Sequence, residues 1–433
     1  MSRGLLVIVA ALAVQAPEAR AQATDTMPRI TLDEALRRAT NLDVGYVRAV
    51  GDLSSAEWGR RAAKLSFVVP SITLSLDATK YSDPFFNAGI GGATDVSVTG
   101  RADARIELFS VRRFAELSRS AAAVEFFDAG VAESQFAAAL VTEALFYDAL
   151  ANDELRRVAE ARVGRAEEAF GVARARVVSG AAVQSDSLQL LLELTRARTE
   201  LLRQRSALRV ARLQLGRRVG QPGPVGAVPL DSAPAATLPF GLDEATAMAL
   251  DQGPQYRAAR ASERAADALL RSRRGEFLPT VFLSGAHNRF DDGFFPGARS
   301  VSSVSLGVSL PVWNGGQREI GIAQAAAARD VARAIRGDLE RGARADVTEA
   351  YEAYDTARET VALQQTAVGV AQENYRVQEA RYRAGAADIL DFLEAQVRLT
   401  EAEADLVQAR YATRLALAGL ETILGRRLFT ETR

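Results

Sequence analysis

Alternating apolar and polar residues divide parts of the chain into short segments with a period of two. Ile72, Leu74 and Leu76 fall on one side of such a segment, while serine, threonine and aspartate fall on the other. This period predicts strands over residues 71–80, 95–108, 280–288 and 301–311. Strands of this kind are typical of a membrane β-barrel wall. An antiparallel sheet on a soluble core has the same period, so the strands alone leave that alternative open.

Apolar residues at helical spacing occupy long segments with almost no proline or glycine. They predict helices over about residues 112–178, 183–217, 316–383 and 388–424. A helix of about 67 residues would be roughly 100 Å long, which exceeds the core of any globular domain. Such helices must pack lengthwise as coiled coils. A rod-like coiled-coil scaffold is an alternative that the helices alone do not exclude.

The same order of elements occurs twice. "TLDEALRRA" at 31–39 returns as "GLDEATAMA" at 241–249, and "VVPSITLSL" at 68–76 returns as "FLPTVFLSG" at 277–285. Each half predicts a helix of about 35 residues, two strands, a very long helix and, after a tight turn, a second long helix. This order predicts a first repeat at residues 24–219, a Pro/Gly-rich linker at 220–241, a second repeat at 242–428 and a tail at 429–433.

Residues 1–23 predict an export signal. Arg3 supplies a positive start, Leu5 to Val14 are apolar, and small residues near Ala21 suit cleavage. The apolar run is too short for a bilayer, which needs about 20 residues. We therefore expect an exported protein that enters a membrane, if at all, through its strands.

Composition argues against several function classes. The 433 residues include 53 basic and 54 acidic residues, whereas nucleic-acid binding needs a basic surplus. With no cysteine and one histidine, His287, neither disulfides nor a metal centre are expected, and His287 is interpreted as a wall residue. GxSxG, HExxH and phosphate-loop patterns do not occur, so we expect no enzymatic activity, no catalytic residue and no cofactor.

Four strands from one chain cannot close a barrel. An open edge in lipid leaves unpaired backbone groups that cost several kcal/mol each. Two copies would give eight strands, whose interior is filled by side chains, whereas three give twelve and room for water. We therefore expect a homotrimeric conduit in lipid. Four residues on the polar face of the second strand are expected to line its lumen: Arg101, Asp103, Arg105 and Glu107. Loop aromatic residues suit either a membrane-surface belt or loop-tip packing: Phe85, Phe86, Phe294 and Phe295.

At this point the sequence resembles the TolC-like outer membrane channel proteins, the outer membrane efflux protein family of Gram-negative bacteria. The most specific features are the duplication, "LPVWNGGQRE" at 310–319 and "ARYRAGAADILDFLEAQVRLTEAEADL" at 380–406. The resemblance implies a mixed α and β membrane protein. Each chain would give four strands to a trimeric twelve-stranded outer-membrane barrel and long antiparallel helices to a periplasmic α-barrel.

The resemblance also implies a function. The chain would be the exit duct of a tripartite efflux pump, exporting small molecules or drugs through a periplasmic adaptor and an inner-membrane transporter. An outer membrane channel for type I protein secretion is the alternative, and an exported coiled-coil structural protein ranks lower.

The junction between the fourth strand and the next helix has its own motif. We expect Pro311 to end the strand and Trp313 to lie at the membrane interface. Gly315 and Gly316 would let the backbone turn into the helix. The first junction, "LFSVRRF", has no proline or glycine at these positions and must turn by another geometry.

Gly180 and Gly385 fall at the two helix–turn–helix points, where a glycine accepts positive φ. The resemblance makes these turns the periplasmic tip that docks with the adaptor. It also makes Asp391 and Glu394 the pore constriction, in a trimer two stacked carboxylate rings that favour cations. An ordinary solvated helix face near a helix N-terminus is the alternative.

The resemblance further implies a lock that holds the tip closed. Tyr382, Asp186 and Ser185 match lock positions, and a tyrosine hydroxyl can donate to a carboxylate. Ala387 stands where the family pattern has a basic residue. We therefore expect a closed state held by fewer bonds and easier to open.

Overall fold

A computed structural model of the chain describes residues 27–88, 90–229, 237–293 and 299–429. The predicted export signal, Phe294, Phe295 and the tail beyond residue 429 lie outside these residues. In chain order the elements are β1 (Arg29–Ile30), α1 (Leu32–Leu42), α2 (Val44–Leu65), β2 (Ser71–Asn87), β3 (Gly92–Phe109), α3 (Val111–Val178), α4 (Gln184–Arg218), β4 (Gly226–Ala227), α5 (Leu242–Gln252), α6 (Pro254–Gly275), β5 (Thr280–Asp291), β6 (Arg299–Ser309), α7 (Gln317–Arg383) and α8 (Ile389–Leu424).

The helical segment that opens each repeat is broken in two. Between α1 and α2, the Asp43 carboxylate accepts a hydrogen bond from the backbone N–H of Tyr46 at 3.0 Å and so caps α2. Between α5 and α6, Gly253 precedes Pro254, the first residue of α6, where a missing N–H costs nothing. The expectation of one helix of about 35 residues was therefore wrong in both repeats.

Strands β2, β3, β5 and β6 form one antiparallel sheet in that order. Ile72 lies opposite Ala104, Ala104 opposite Gly285, and Gly285 opposite Val304, so one face is mostly apolar across all four strands. His287 and Ser302, which lie opposite each other, are polar residues on this face. The His287 ring nitrogen Nδ1 lies 2.8 Å from the Ser302 hydroxyl, which gives the single histidine a partner within the sheet. Leu74 and Val304 on this face are 77% and 79% exposed, so nothing in one chain covers it.

The sheet is open at both sides. Among the described residues, no strand pairs with the outer edge of β2 or of β6. β2 and β3 are longer than predicted, because their pairing continues past a register shift between Lys80 and Phe85. β6 ends at Ser309 rather than at Pro311, so two residues of the predicted strand belong to the junction.

The helices form a layer whose order follows that of the sheet. α3 contacts both α2 and α6, and α6 contacts α7, while α4 and α8 extend the layer along α3 and α7. α3 and α7 have 68 and 67 residues and run for about 100 Å. α3 buries 16 side chains, whereas α7 buries six and α2 buries none among the described residues. The outer flanks of this layer are therefore α2 and α4 on one side and α7 on the other.

Charged side chains join the helices near the middle of α3. The Arg218 guanidinium, at the end of α4, donates to the Ala138 carbonyl and to the Asp43 carboxylate, each at 2.8 Å. Arg427 donates to two fully buried carboxylates, Glu143 of α3 at 2.6 Å and Glu421 of α8 at 2.7 Å. These contacts fix the ends of α4 and α8 against α3. Within the described ranges, no helix is long and apolar enough to span a bilayer.

Arg318, which the sequence analysis did not single out, holds the second strand-to-helix junction. Gly315 and Gly316 have φ of 70° and 80°, the left-handed values that glycine adopts readily. Arg318 is 5% exposed, and its guanidinium donates to the carbonyls of Pro311 at 2.5 Å and Val312 at 2.8 Å. It also lies 4.2 Å from the centre of the Phe277 ring, between the end of α6 and the start of β5. The turn is thus fixed by a side chain within α7.

The first junction uses a different backbone geometry, as expected. Only Ser110, in an extended conformation with φ −161° and ψ 123°, separates β3 from α3. Arg113 donates to the Ser66 carbonyl and lies 4.1 Å from the centre of the Phe67 ring. An arginine in the first turn of a long helix, resting on a phenylalanine that precedes the sheet, is therefore common to both junctions.

Two glycines, one with positive φ just before α7 and one with helical φ inside it, give a direct test of the backbone conformation at the junction. Gly316→Ala should lower the free energy of unfolding by about 1–2 kcal/mol, because the Cβ of alanine clashes with the backbone in the left-handed conformation. Gly369→Ala, at an open position inside the same helix, should raise it by about 0.5–1 kcal/mol. Denaturant unfolding followed by circular dichroism measures both free energies. Equal effects of the two substitutions would contradict a left-handed conformation at Gly316.

Candidate functional site at the helix tips

The two helical hairpins end in the same kind of turn. Gly180 and Gly385 have φ of 76° and 74°. In the first turn, the Ala181 N–H donates to the Arg176 carbonyl at 2.8 Å and the Gly180 N–H to the Val177 carbonyl at 3.1 Å. The second turn makes the same two bonds. This pair of bonds satisfies the carbonyls left free at a helix end and needs a left-handed residue, which explains the glycines.

An apolar cluster joins the α3–α4 hairpin to the α7–α8 hairpin just behind these turns. The rings of Tyr382 and Phe392 stack with centres 5.3 Å apart and planes 4° from parallel. The tip cluster consists of these two residues and Ala169, Ala173, Leu190 and Ile389, all of them buried. Side chains from all four helices thus form one packing unit.

Arg176, in the last turn of α3, also connects the two turns. Its guanidinium donates to the Tyr382 carbonyl, in the last turn of α7, and to the Ala181 carbonyl at 3.3 Å. It lies 4.9 Å from the centre of the Tyr382 ring. The sequence analysis missed this residue, since no spacing rule relates positions 206 residues apart.

The predicted lock residues do not form the expected bond within one chain. Tyr382 is 2% exposed, and its hydroxyl has no hydrogen-bond partner among the described residues. Burial raises the pKa of Tyr382, and the nearby Asp186 charge raises this pKa further while Arg176 opposes both. Ser185 is exposed in the first turn of α4. The structure gives Tyr382 a packing role, and a lock between neighbouring chains stays a prediction.

Asp391 and Glu394 lie on the exposed side of the first turns of α8. The two differ in their surroundings, which the sequence analysis did not anticipate. Glu394 lies 3.6 Å from the Arg398 guanidinium and lines a groove between α4 and α8 that also contains Arg196. Within the described part of the chain, Asp391 has no ion-pair partner. Arg398 lies equally close to Glu401, at 3.6 Å, so Glu394 is compensated in part and Asp391 is not compensated.

Further polar contacts tie the hairpins together away from the tip. Arg165 of α3 donates to Glu403 of α8 at 2.9 Å, and the Tyr411 hydroxyl donates to Glu154 at 2.7 Å. Burial, followed by the bond to Glu154, raises the pKa of the Tyr411 hydroxyl. Each contact links the first repeat to the second, so movement of one hairpin against the other must break them.

The charged residues predicted to line a lumen share one face of β3: Arg101, Asp103, Arg105 and Glu107. Arg101 and Asp103 form an ion pair at 3.3 Å, and Glu107 accepts from Arg112 at 3.0 Å. The Arg105 guanidinium lies 3.5 Å from the centre of the Phe282 ring on β5. The face is therefore polar in composition and nearly balanced in charge. Nowhere in the described ranges do three metal-binding side chains come together.

Substitution of Tyr382 distinguishes packing from hydrogen bonding. Tyr382→Phe should leave the free energy of unfolding unchanged or slightly raised, because it removes a buried hydroxyl that lacks a partner. Tyr382→Ala should lower it by about 3–5 kcal/mol, since the stacked ring leaves a cavity. Denaturant unfolding measures both, and an equal loss from the two variants would mean that the hydroxyl is bonded in solution.

Comparison with known proteins relates this geometry to other chains. Residues 246–426 match the family described as outer membrane efflux protein. Outer membrane efflux protein BepC of Brucella suis is 28% identical over 200 residues, which cover 43% of this chain and 44% of BepC. Probable efflux pump outer membrane protein TtgC of Pseudomonas putida is 26% identical over 206 residues, covering 47% and 42% of the two chains. The matches span less than half the length of these relatives.

Solved structures match over nearly the whole chain. The CmeC outer membrane channel of Campylobacter jejuni superposes with a TM-score of 0.77 at 14% identity, covering 93% of this chain and 87% of CmeC. The outer membrane protein VceC of Vibrio cholerae gives 0.75 at 18% identity, covering 92% and 97%. Identities this low establish a shared fold. Residues 246–426 are therefore similar to the outer membrane efflux protein family, and the whole chain has the fold of these solved outer membrane channels.

Proposed function

We propose that the chain is the outer-membrane exit duct of a tripartite efflux pump and that it works as a homotrimer. The observation that carries this proposal is that both the sheet and the helix layer of one chain are open at their two sides. The sheet ends in β2 and β6, and the helix layer ends in α2 and α4 on the side of β2 and in α7 on the side of β6. One rotation about one axis can therefore close both layers at once.

The energetic argument concerns the sheet edges. In a bilayer, each unpaired backbone N–H or C=O costs several kcal/mol, so β2 and β6 need partners. Pairing β6 of one copy with β2 of the next is a head-to-tail contact, and such contacts generate rings. Three copies give twelve strands, a number that leaves an aqueous interior.

The two faces of the sheet support a membrane position. The apolar face, with Ile72, Leu74, Val304 and Leu306 exposed, suits contact with outer-membrane lipid. The opposite face, with Arg101 to Glu107, would line water. Trp313, 75% exposed at the junction, would then lie at the membrane interface, where aromatic residues of membrane proteins are enriched. The helix layer would then extend about 100 Å into the periplasm.

The tip is the part that would meet the rest of the pump. Gly180 and Gly385 end the two hairpins, and Val178 and Val183 beside the first turn are exposed. We propose that these turns dock with a periplasmic adaptor, which connects the duct to an inner-membrane transporter. The names of BepC and TtgC as efflux proteins support this partnership.

We propose Asp391 as the main charge of the pore constriction. Three copies would bring three Asp391 carboxylates into one ring with no compensating cation nearby. The ring of Glu394 would be weaker, because Arg398 lies beside each carboxylate. A ring of uncompensated carboxylates attracts cations and repels anions, so the neck would favour cations.

Ion conduction tests the duct and its constriction together. In planar bilayers, the purified chain should give discrete, cation-selective current steps. Asp391→Asn should reduce the cation preference and raise the conductance, and Glu394→Gln should have a smaller effect. Asp405→Asn, an exposed carboxylate about 21 Å further along α8, serves as the matched control and should change little. Conductance and selectivity that Asp391→Asn leaves unchanged would rule out this constriction.

A further inference from the structure

A cavity of about 860 Å³ lies where α2, α3 and α6 meet the base of β3. We call it the junction cavity. This volume falls within the range of about 300–1,000 Å³ that is usual for small-molecule sites. Ala62, Leu65, Val69 and Leu269 give it an apolar side. Its other side is formed by charged residues of β3, α3 and α6, so the cavity has two chemically distinct halves.

The charged half contains more arginine than glutamate. Its three glutamates are already paired with arginines of the same cavity. Glu107 accepts from Arg112 at 3.0 Å. The other two pairs each lie along one helical segment: Glu116 with Arg119 at 2.6 Å and Glu276 with Arg273 at 2.9 Å. The charges within these three ion pairs cancel, which leaves two further arginines of the lining without a paired glutamate.

These two arginines, Arg105 and Arg113, have no carboxylate within 4.0 Å among the residues that the structure describes. Arg105 lies 3.5 Å from the centre of the Phe282 ring, and Arg113 lies 4.1 Å from that of Phe67. Stacking on a ring face holds a guanidinium in place and leaves its edge N–H groups free to donate. Arg113 uses one such group on the Ser66 carbonyl. The cavity therefore has an excess of two positive charges with unused donors.

We propose that the junction cavity binds an organic anion with an apolar body and a sulfonate, carboxylate or phosphate group. The anionic group would accept hydrogen bonds from Arg105 and Arg113, whose planar guanidinium suits the oxygens of such groups. The apolar body would lie against Leu65, Val69 and Leu269. The site deepens the proposed duct function and rests on it, since the cavity includes Arg105 and Glu107 of the face that would line the duct.

Calorimetric titration of the full-length protein in zwitterionic detergent tests the site, with naphthalene-1-sulfonate as the probe. We expect saturable binding of one probe per chain. Arg105→Gln should weaken it by about tenfold or more, as expected for the loss of a charge-assisted hydrogen bond. Arg105→Lys, which keeps the charge but loses the planar fork, should weaken it less. 1-Naphthylmethylammonium, of similar shape and opposite charge, should give no saturable binding.

The matched control is Arg274→Gln, which removes an exposed arginine next to Arg273 that does not line the cavity. It should keep the affinity within about twofold of the unmodified protein. Absence of saturable binding to the unmodified protein, or an equal loss in Arg274→Gln, would overturn the proposal. Displacement of the probe by phosphatidylglycerol added to the micelles would support the site and identify a lipid as its organic anion, whereas binding without such displacement would support a soluble anion.

Current measurements on the same preparations separate this proposal from the duct function. Current steps without probe binding would contradict the anion site and leave the proposed duct function in place. Probe binding without current steps would remove the duct and leave an anion-binding cavity in a protein of another function.

Discussion

The backbone N–H and C=O groups on the outer edges of β2 and β6 are the constraint on which the rest of the structure depends. Water can satisfy such groups, but lipid cannot, and each unsatisfied group costs several kcal/mol. The apolar face of the same sheet is exposed at Leu74 and Val304 and favours lipid over water. One chain cannot meet both demands. The helix layer is likewise open at its flanks, with α2 and α4 on one side and α7 on the other. Other copies of the chain can therefore cover the flanks of the helix layer and pair with the edges of the sheet.

Arginine side chains hold the points where the chain changes direction. Arg113 and Arg318 lie at the two junctions between sheet and helix, where each donates to backbone carbonyls and rests on a phenylalanine ring. Arg176 does the same for the two tip turns with Tyr382. Carbonyls at helix ends and turns lack partners within the element, and a guanidinium supplies several donors at once. In a helix layer about 100 Å long, the buried apolar residues form separate clusters, and these arginine contacts fix the turns at its ends.

Periodicity predicted the parts of this fold that depend on neighbouring residues. The strands, the two long helices and the turn glycines Gly180 and Gly385 follow from local pattern. The structure has them within a few residues of the expected positions, except that β2 continues to Asn87 instead of ending at residue 80. The breaks at Asp43 and Gly253 were missed because the helical pattern continues across them. At the tip, the exposed face of Asp391 and Glu394 was predictable from their spacing. The Arg398 contact of Glu394 is an i,i+4 pair within α8 that helical spacing could have predicted. The buried hydroxyl of Tyr382 and the contacts of Arg176 depend instead on packing between segments about 200 residues apart, which local pattern does not encode.

Oxidative cross-linking tests the central claim most directly, because the chain has no cysteine of its own. A variant with Ser75→Cys on β2 and Ser305→Cys on β6 has one thiol on the same face of each sheet edge. Further variants would carry the same kind of cysteine pair, with one position moved by two residues at a time along its strand. After oxidation in membranes, this panel should give products of two and of three covalently linked chains, and none larger. Products that remain single chains in every register, from a protein that extracts as a monomer, would contradict the account.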